Sequence, residues 1–208
     1  MRIVVFGANG GVGRRAVEVA AAGGHQVVAA ARTVGVVPAG VVPALVDVRD
    51  AGPVRLALEG ADAVLWCVGV TKRSGPGVGA VGLAHLLAAA QELGVSRVVT
   101  VSGAGVTLPG DRKGRGARLV SELTRRLAAD LVGDKEAEHA LLVNSTVDWT
   151  EVRPPRLVDT DAGRGAVLVD QAPGLTAKPV TKREVAQTML ELAQSADWVR
   201  RSPFLVAR

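Results

Sequence analysis

The stretch that decides the fold opens the chain: Arg2-Ile3-Val4-Val5-Phe6 runs directly into Gly7-Ala8-Asn9-Gly10-Gly11-Val12-Gly13. A short run of β-branched and apolar residues meets a glycine-rich turn, and an alanine-rich stretch follows. A strand of this kind, a tight turn and then a helix are typical of the first unit of a parallel sheet. Residues 2–6 are therefore predicted to form a strand and residues 11–22 a helix.

The glycines of this turn have the spacing G-x-x-G-x-x-G. The first glycine permits a tight turn, the second lets backbone amides approach a pyrophosphate, and the third allows close packing of helix on strand. The helix amino terminus offers N–H groups and a positive partial charge to phosphates. The turn is one residue longer than the common dinucleotide motif, yet its strand and helix context predicts a dinucleotide site. The expected contacts are Gly7, Asn9, Gly10, Gly11, Val12 and Gly13.

The same alternation of β-branched runs and alanine- and leucine-rich stretches continues along the chain. Strands are predicted at 2–6, 26–31, 43–47, 63–68, 97–101 and 147–153, and helices at 11–22, 53–59, 78–93, 117–143 and 182–194. This pattern predicts an α/β fold with a doubly wound parallel sheet, the three-layer Rossmann fold, in a single domain spanning residues 1–208. The helix at 117–143 is expected to break near Gly133, with Asp134 capping the second part. Thr181 and Glu184 have the spacing of a capping box.

The ends of the next strands indicate which dinucleotide binds. Arg32-Thr33 follows the second strand, where NAD-specific folds carry a carboxylate and an arginine can hold the 2′-phosphate of NADP(H). The alternative is an exposed arginine at a strand end. Asp47-Val48 can bind the adenine, although Asp47 can instead cap the following turn. Cys67, Val68 and Gly69 leave room for the cofactor to cross the sheet edge, or Gly69 is only a turn residue.

Two long segments follow strand ends. Residues 103–116 are rich in glycine and charge, and residues 158–180 hold several glycines and prolines with one strand-like run, Ala166 to Val169. Open α/β sheets place their ligands at the carboxyl ends of the strands, and long loops at that edge are often functional. Both segments are expected to form walls of the substrate site.

Composition limits the other possibilities. The net charge is +5, but the basic residues are spread out and only 2% of residues are aromatic, so nucleic acid is not an expected partner. The densest basic stretch, residues 112–115, is interpreted as a solvated loop, the alternative being a mild positive field that attracts anions. One cysteine, interpreted as a buried spectator, excludes an internal disulfide and fits a cytoplasmic location, with no metal cluster. No stretch approaches the roughly 18 apolar residues of a membrane span, so no membrane partner is expected.

Further motifs carry a resemblance to a known family. They are Gly7 to Gly13, Arg32, Asp47-Val48, the run Arg97 to Ser102 and the run Asp148 to Pro154. In these motifs the chain resembles the atypical short-chain dehydrogenase/reductase superfamily, in its NAD(P)H-binding, NmrA-like branch. The likeness covers almost the whole chain. Its length and the pair Pro154-Pro155 are most similar to the flavin reductases, also called biliverdin-IXβ reductases, which pass a hydride from NADPH to flavins and linear tetrapyrroles.

The resemblance implies roles for particular residues. Ser102 matches a serine beside the nicotinamide, which contacts the cofactor and can bond a substrate carbonyl or relay a proton, whereas its alternative is a bond to its own loop. Lys135 lies where this branch often carries a lysine, with Glu138 after it, and is the second candidate catalytic residue. Pro154 is expected along the nicotinamide. The implied substrate-side residues are Gly103, Pro155, Arg156 and Lys178, the last two being either anion-binding or plain surface charge.

The chain also departs from the family pattern. Short-chain dehydrogenases use Tyr-x-x-x-Lys to deliver a proton, but this chain contains no tyrosine, and Leu131 stands four residues before Lys135. A proton must then come from water, from a substrate nitrogen or through Ser102, His85 and His139 being less favoured acids. A conjugated acceptor tolerates this because its developing charge is delocalised, whereas a simple ketone does not.

The sequence therefore favours an NADPH-dependent reductase of small flavin-, tetrapyrrole- or quinone-like acceptors. Two alternatives stay open. One is a redox sensor that binds NADP(H) without turnover. The other is a tailoring enzyme of secondary metabolism that catalyses enone reduction, isomerisation or dehydration.

Overall fold

The computed structural model describes residues 1–71, 74–160, 162–174 and 176–208. The elements of the first half are, in order, β1 (Arg2–Phe6), α1 (Gly11–Ala22), β2 (Gln26–Ala31), β3 (Val42–Leu45), α2 (Ala51–Leu58), β4 (Ala63–Trp66), α3 (Val78–Leu93) and β5 (Arg97–Val101). Those of the second half are α4 (Arg115–Leu127), α5 (Ala129–Asn144), β6 (Asp148–Val152), β7 (Leu157–Val158), β8 (Ala166–Val169), β9 (Val180–Thr181), α6 (Lys182–Ala193) and β10 (Phe204–Ala207).

Six strands form the central sheet in the order β3-β2-β1-β4-β5-β6, and every neighbouring pair is parallel. The order runs outward in both directions from β1 and β4, so the chain reverses its winding between these two strands. In sheets of this type ligands bind at the carboxyl ends of the strands, at that reversal. The prediction of a doubly wound α/β sheet is confirmed.

Alternating side chains of each strand pack on opposite faces of the sheet, as the pleat requires. Ile3 and Val5 of β1 belong to a core that includes residues of α1 and α6, whereas Val4 and Phe6 belong to a core with residues of α2, α3 and α5. The two cores lie on opposite faces of the sheet, which is therefore the middle of three layers. The carboxyl edge of the sheet is therefore a rigid platform for the site.

The helix predicted at 117–143 is two helices, and the predicted position of the break is wrong. The chain turns at Ala128, with φ −141° and ψ 48°, while Gly133 and Asp134 lie inside α5. Asp134 does not cap its own helix, because its carboxylate accepts hydrogen bonds from the N–H groups of Gly79 and Ala80 in α3. The other predicted bounds of helices and central strands differ from those observed by no more than two residues. The capping box of Thr181 and Glu184 is present.

The segment 158–180 is more ordered than a simple loop. The predicted strand-like run is β8, and it pairs antiparallel with β10, a strand that was not predicted. The short strands β7 and β9 pair in parallel at either end of the segment. Asp161 and Leu175 of this segment lie outside the described residues.

Among the described residues, no helix combines the length and the apolar character needed to cross a bilayer.

Candidate functional site

The glycine loop is packed against the end of β4. Gly7 has φ +73°, and a Cβ added to it would stand 2.6 Å from the carbonyl oxygen of Cys67. A Cβ on Gly13 would stand 2.1 Å from the carbonyl oxygen of Gly7, so α1 begins in direct contact with the turn. A side chain at Gly7 or Gly13 would push the turn off the sheet, which explains the spacing of these glycines.

The loop leaves the amino terminus of α1 open to an anion. Gly10 is its N-cap and provides no side-chain hydrogen bond, and the first turn contains no acidic residue. Backbone N–H groups of the first turn have no partner within a helix, and the helix dipole adds positive potential there. Gly11 and Val12 thus offer amides to a diphosphate, and the residues fit the predicted cofactor at this position.

The ends of β1 and β2 contact each other through polar side chains. Asn9 Nδ2 donates to Thr33 Oγ1 at 3.4 Å, and Arg32 beside them is exposed. Next to this contact lies a cavity of about 280 Å³, whose lining includes Asn9, Arg14 and the segment 34–38. Arg14 was missed by the sequence reasoning, although it follows the last glycine of the motif directly. The region presents two cations, Arg32 and Arg14, and no carboxylate from β2, while Glu18 of α1 also lines the cavity.

Asp47 caps a turn, as the alternative interpretation had it. Its Oδ1 accepts the backbone N–H of Arg49 at 3.0 Å. The Arg49 guanidinium donates to the carbonyl of Ser74, which joins the turn after β3 to the loop after β4. Val48 is buried and packs in the core. Asp47 and Val48 thus lie at the outer end of the predicted cofactor site. Arg49 also holds this turn, and no sequence motif predicted that role.

Cys67 and Gly69 follow β4, next to the point where the sheet reverses its winding. Burial raises the pKa of the Cys67 thiol to about 12, with the charge of Lys135 acting weakly against it, so this thiol is protonated at neutral pH. That property fits the spectator role predicted for Cys67. The space beside Gly69 is open, because an added Cβ there would meet no atom of the described residues within 4 Å.

The ammonium group of Lys135 forms hydrogen bonds within the protein. Its Nζ donates to the carbonyl of Val68 at 2.8 Å and to both carboxylate oxygens of Glu138 at 2.9 Å. An ammonium has three N–H donors, and these contacts use all of them. Lys135 therefore holds the end of β4 in place. The catalytic role that the resemblance implied for it stays a prediction.

Glu138 lies in an unusually acidic buried setting. Burial raises its pKa to about 7, Lys135 opposes the shift, and the charges of Asp134 and Glu151 add to it. The indole Nε1 of Trp66 donates to its Oε2 at 3.2 Å. The carboxylates of Asp134 and Glu138 thus contact the amino terminus of α3 and the carboxyl end of β4.

Ser102 has a free hydroxyl at the end of β5. Its backbone N–H donates to the carbonyl of Val152 at 2.9 Å, which pins the residue between β5 and β6. Its Oγ is buried and has no hydrogen-bond partner among the described residues, so it does not bond its own loop. Gly103 next to it is open on its Cβ side. Pro154 is buried, and its carbonyl accepts from Ala104 at 2.8 Å. A buried donor without a partner normally costs stability, and such groups are often completed by a ligand.

The loop 103–116 is held from inside by charged groups, and the interpretation of residues 112–115 as a solvated loop is wrong for Lys113. Lys113 Nζ is buried and donates to the carbonyls of Ala104 and Val106 and to Ser121 Oγ, at 3.0, 2.6 and 2.8 Å. Its neighbour Asp111 forms a bidentate ion pair with the buried Arg153, at 2.6 and 2.7 Å. Lys113 and Asp111 thus fix the loop from inside, whereas Arg112 and Arg115 are exposed.

The predicted substrate-side residues do not all meet in one cavity. Arg156 is exposed before β7, with Pro155 half-buried beside it. Lys178 lines a separate cavity of about 310 Å³ between residues 158–164 and the start of α6. Neither Ser102 nor Gly103 lines that cavity, so the structure does not join Lys178 to the serine.

A further cation lies over the glycine loop. A Cβ on Gly11 would stand 2.9 Å from Nζ and Cε of Lys182, the first residue of α6. Lys182 also donates to Asp159 at 2.9 Å. Local sequence gives no signal for this residue, since only the packing of α6 on α1 brings it to the phosphate position.

The histidines have structural partners. His85 Nδ1 lies 3.0 Å from the carbonyl oxygen of Val48, as a structural histidine would. His139 Nδ1 lies 2.7 Å from Oε2 of the buried Glu151, which also accepts from Ser202 Oγ at 2.9 Å. Both rings are fixed by these contacts.

Comparison with known proteins gives the class. Residues 7–196 match the family described as NAD(P)H-binding, and the chain belongs to that family. No curated protein matches the chain.

Solved structures share the whole fold at low sequence identity. The anaerobillin reductase ChuY from Escherichia coli O157:H7 is 24% identical, with a TM-score of 0.79, over 100% of this chain and 97% of that one. A short-chain dehydrogenase/reductase from Veillonella parvula, solved in complex with NADP, is 17% identical, with a TM-score of 0.80 and coverage of 99% and 94%. The oxidoreductase ylbE from Lactococcus lactis is 22% identical, with a TM-score of 0.80 and coverage of 100% and 91%. These likenesses agree with the atypical short-chain dehydrogenase/reductase fold that the sequence motifs predicted.

Proposed function

We propose that this NAD(P)H-binding protein is a reductase that uses NADPH to reduce a small, flat, conjugated acceptor of the flavin, tetrapyrrole or quinone class. The observation that carries the proposal is the buried hydroxyl of Ser102, which has no partner in the described part of the chain. It lies at the carboxyl end of β5, on the same sheet edge as the glycine loop.

The preference for NADP(H) over NAD(H) rests on charge. Arg32 follows β2, Arg14 borders the neighbouring cavity, and β2 ends without a carboxylate that would favour a free ribose hydroxyl. Lys182 adds a cation above Gly11. The two arginines beside the end of β2 favour the dinucleotide that carries the additional phosphate, whereas Lys182 lies at the glycine loop. The Veillonella parvula structure with NADP is a precedent in the same fold.

The chemistry of the chain's own residues favours a conjugated acceptor. When bound, reduced NADP supplies a hydride. Ser102 Oγ can donate a hydrogen bond to a carbonyl or ring nitrogen of the acceptor and orient it, and the Cβ side of Gly103 next to it is open. No tyrosine is available to protonate an alkoxide, and the ammonium of Lys135 is bound by Glu138 and Val68. An acceptor that delocalises its charge needs no strong acid, so it matches this site better than a ketone.

The test is an anaerobic assay of NADPH oxidation with three acceptors: FMN, biliverdin and a soluble quinone. The expected result is steady turnover with at least one of them, and slower turnover with NADH. A tetrapyrrole is included because the structurally similar ChuY is described as an anaerobillin reductase. If the protein binds NADPH tightly and oxidises none of it with any acceptor, the reductase proposal is wrong.

A sensor that binds NADP(H) without turnover is the second candidate. It is favoured by the full engagement of Lys135, which leaves the site with no lysine–tyrosine acid. The two candidates separate in the same assay: a sensor binds NADPH in the titration and consumes none.

A further inference from the structure

Helix α4 has an apolar face that the rest of the protein does not cover. Leu119, Leu123 and Leu127 are 63%, 55% and 78% exposed, and they are spaced four residues apart, which places them in one row along the helix. Val120 of α4 and Leu131 of α5 are exposed as well. We call Leu119, Leu123 and Leu127 the leucine row. Large apolar side chains rarely form a contiguous exposed row without a partner.

The face that α4 turns toward the protein is small and polar. Its buried residues are Ala117 and Ser121. Ser121 Oγ accepts from the buried Lys113, and Gly105 lies close to the side chain of Thr124. Ala117 also packs in a small apolar cluster with Ala172 and Phe204. The helix is therefore attached by one alanine and by polar contacts, while its leucines face away. This is the reverse of a helix whose leucines stabilise the core.

Basic residues accompany the leucine row. Arg115 stands four residues before Leu119, and Arg126 three residues after Leu123, so both are neighbours of the row on the helix surface. Arg118 and Arg125 lie on the same helix, and its one acidic residue, Glu122, forms an exposed ion pair with Arg126 at 3.0 Å, a weak contact for which phosphates can compete. Apolar residues on one side and arginines beside them characterise helices that lie in the interface of an anionic bilayer.

We propose that α4 is a docking helix for an anionic lipid surface, with the leucine row inserted at the boundary of headgroups and acyl chains and Arg115 and Arg126 contacting the headgroup phosphates. The contact is peripheral, whereas the expectation of no membrane partner rested only on the lack of a stretch long enough to span a membrane. It does not depend on the reductase proposal.

A second copy of the chain fits this face less well. The helix has 13 residues. A helix of that size is about 20 Å long and about 10 Å across, so its exposed face would bury on the order of 200 Å² per copy. Specific protein interfaces bury about 800 Å² per partner. Two copies would also bring their arginines together, which is unfavourable, whereas a layer of phosphates is complementary to them.

The experiment is co-sedimentation of the full chain with vesicles of phosphatidylcholine alone or mixed with phosphatidylglycerol. We expect binding to the anionic vesicles that weakens with added salt, and at least tenfold weaker binding to the neutral ones. The double variant Leu123→Glu, Leu127→Glu should lose the binding, and Arg115→Gln with Arg126→Gln should weaken it more than tenfold.

Matched controls are Leu56→Glu on α2, where the leucine is 62% exposed, and Arg201→Gln near the carboxyl terminus. Both should bind as the wild type does, and thermal unfolding should show that all variants fold. Binding that survives Leu123→Glu with Leu127→Glu, or no binding to anionic vesicles, overturns the proposal. A concentration-dependent dimer in sedimentation equilibrium that the same leucine variant dissociates would also overturn it, since the occupant would then be a second copy.

Discussion

At the scale of single residues, the buried hydroxyl of Ser102 lowers the stability of the fold, and we propose that it also orients the acceptor. Its buried Oγ has no partner in the described part of the chain. Removing such a hydroxyl leaves no orphaned partner behind, so Ser102→Ala should leave the free energy of unfolding unchanged or raise it slightly. The same change should lower kcat for the best acceptor by roughly tenfold to a hundredfold, because the oriented hydrogen bond is lost.

Thermal unfolding, NADPH titration and steady-state kinetics on this one variant test that prediction. The affinity for NADPH should change less than threefold. Ser121→Ala is the matched control for a serine that does have a partner, Lys113, and it should lose stability. Full activity in Ser102→Ala would remove the serine from the mechanism.

Glu138 gives the protein a predictable pH dependence. Burial raises the pKa of this carboxyl to about 7, above its ordinary value of 4.5. Between these values the folded protein holds a proton that the unfolded chain has lost. The contribution of Glu138 to the free energy of unfolding is therefore fully present below about pH 4.5 and declines as the pH rises toward about 7.

Glu138→Gln should remove this decline. The difference in unfolding free energy between wild type and variant, followed by urea denaturation, should change by about 1–3 kcal/mol across that pH interval. Glu136→Gln is the control on the same helix, because Glu136 is partly exposed and pairs with Arg125. Parallel pH curves for wild type and Glu138→Gln would contradict the assignment.

The sequence predicts the position of a residue that directly follows a strand of the sheet. It does not predict which charged side chains are buried. The carboxyl-edge positions of Arg32 and Ser102 could be predicted, because position in a parallel sheet follows from the order of elements. The buried roles of Lys113 and Arg153 could not, since charged residues are usually exposed and only tertiary partners such as Asp111 explain the exceptions. Lys182 was missed for a similar reason.

At the scale of elements, α3 depends on a cap supplied by another helix. Gly77 begins α3 without a side-chain cap, and the carboxylate of Asp134 in α5 accepts from the N–H groups of Gly79 and Ala80, both at 2.9 Å. Asp134→Ala should lower the free energy of unfolding by about 1–2 kcal/mol, the usual cost of losing such a cap. The control Asp130→Ala, exposed in the first turn of α5, should cost less than half of that. Equal effects in thermal unfolding would show that α3 does not need this contact.

The same aspartate explains the error in the predicted helix break. Glycine followed by aspartate is a local signal for a helix start, and Gly133-Asp134 gave that signal inside a continuous helix. The true break at Ala128 is at a residue type that favours helices, so local sequence does not mark it. Helices with strong ends, such as α1 between Gly10 and Gly23, were predicted at their observed bounds.

At the scale of the whole molecule, the order of the sheet could be predicted because alternating strands and helices leave few parallel topologies. The strand β10 could not, since its pairing with β8 joins the carboxyl terminus to a segment with few sequence signals. The predicted cofactor site also depends on the whole sheet. The glycine loop, the end of β2 and the end of β5 are far apart in the sequence, and the sheet brings them to one edge.

Titration of NADPH and NADH into the wild type and Arg32→Ala, followed by calorimetry, tests the central claim most directly. An arginine–phosphate contact is worth about 1.5–3 kcal/mol, which is roughly tenfold to a hundredfold in affinity. The wild type should therefore bind NADPH at least tenfold more tightly than NADH, Arg32→Ala should lose that preference without weakening NADH, and the control Lys178→Ala should keep it. Equal affinity of the wild type for the two nucleotides, or no affinity for either, would contradict the account.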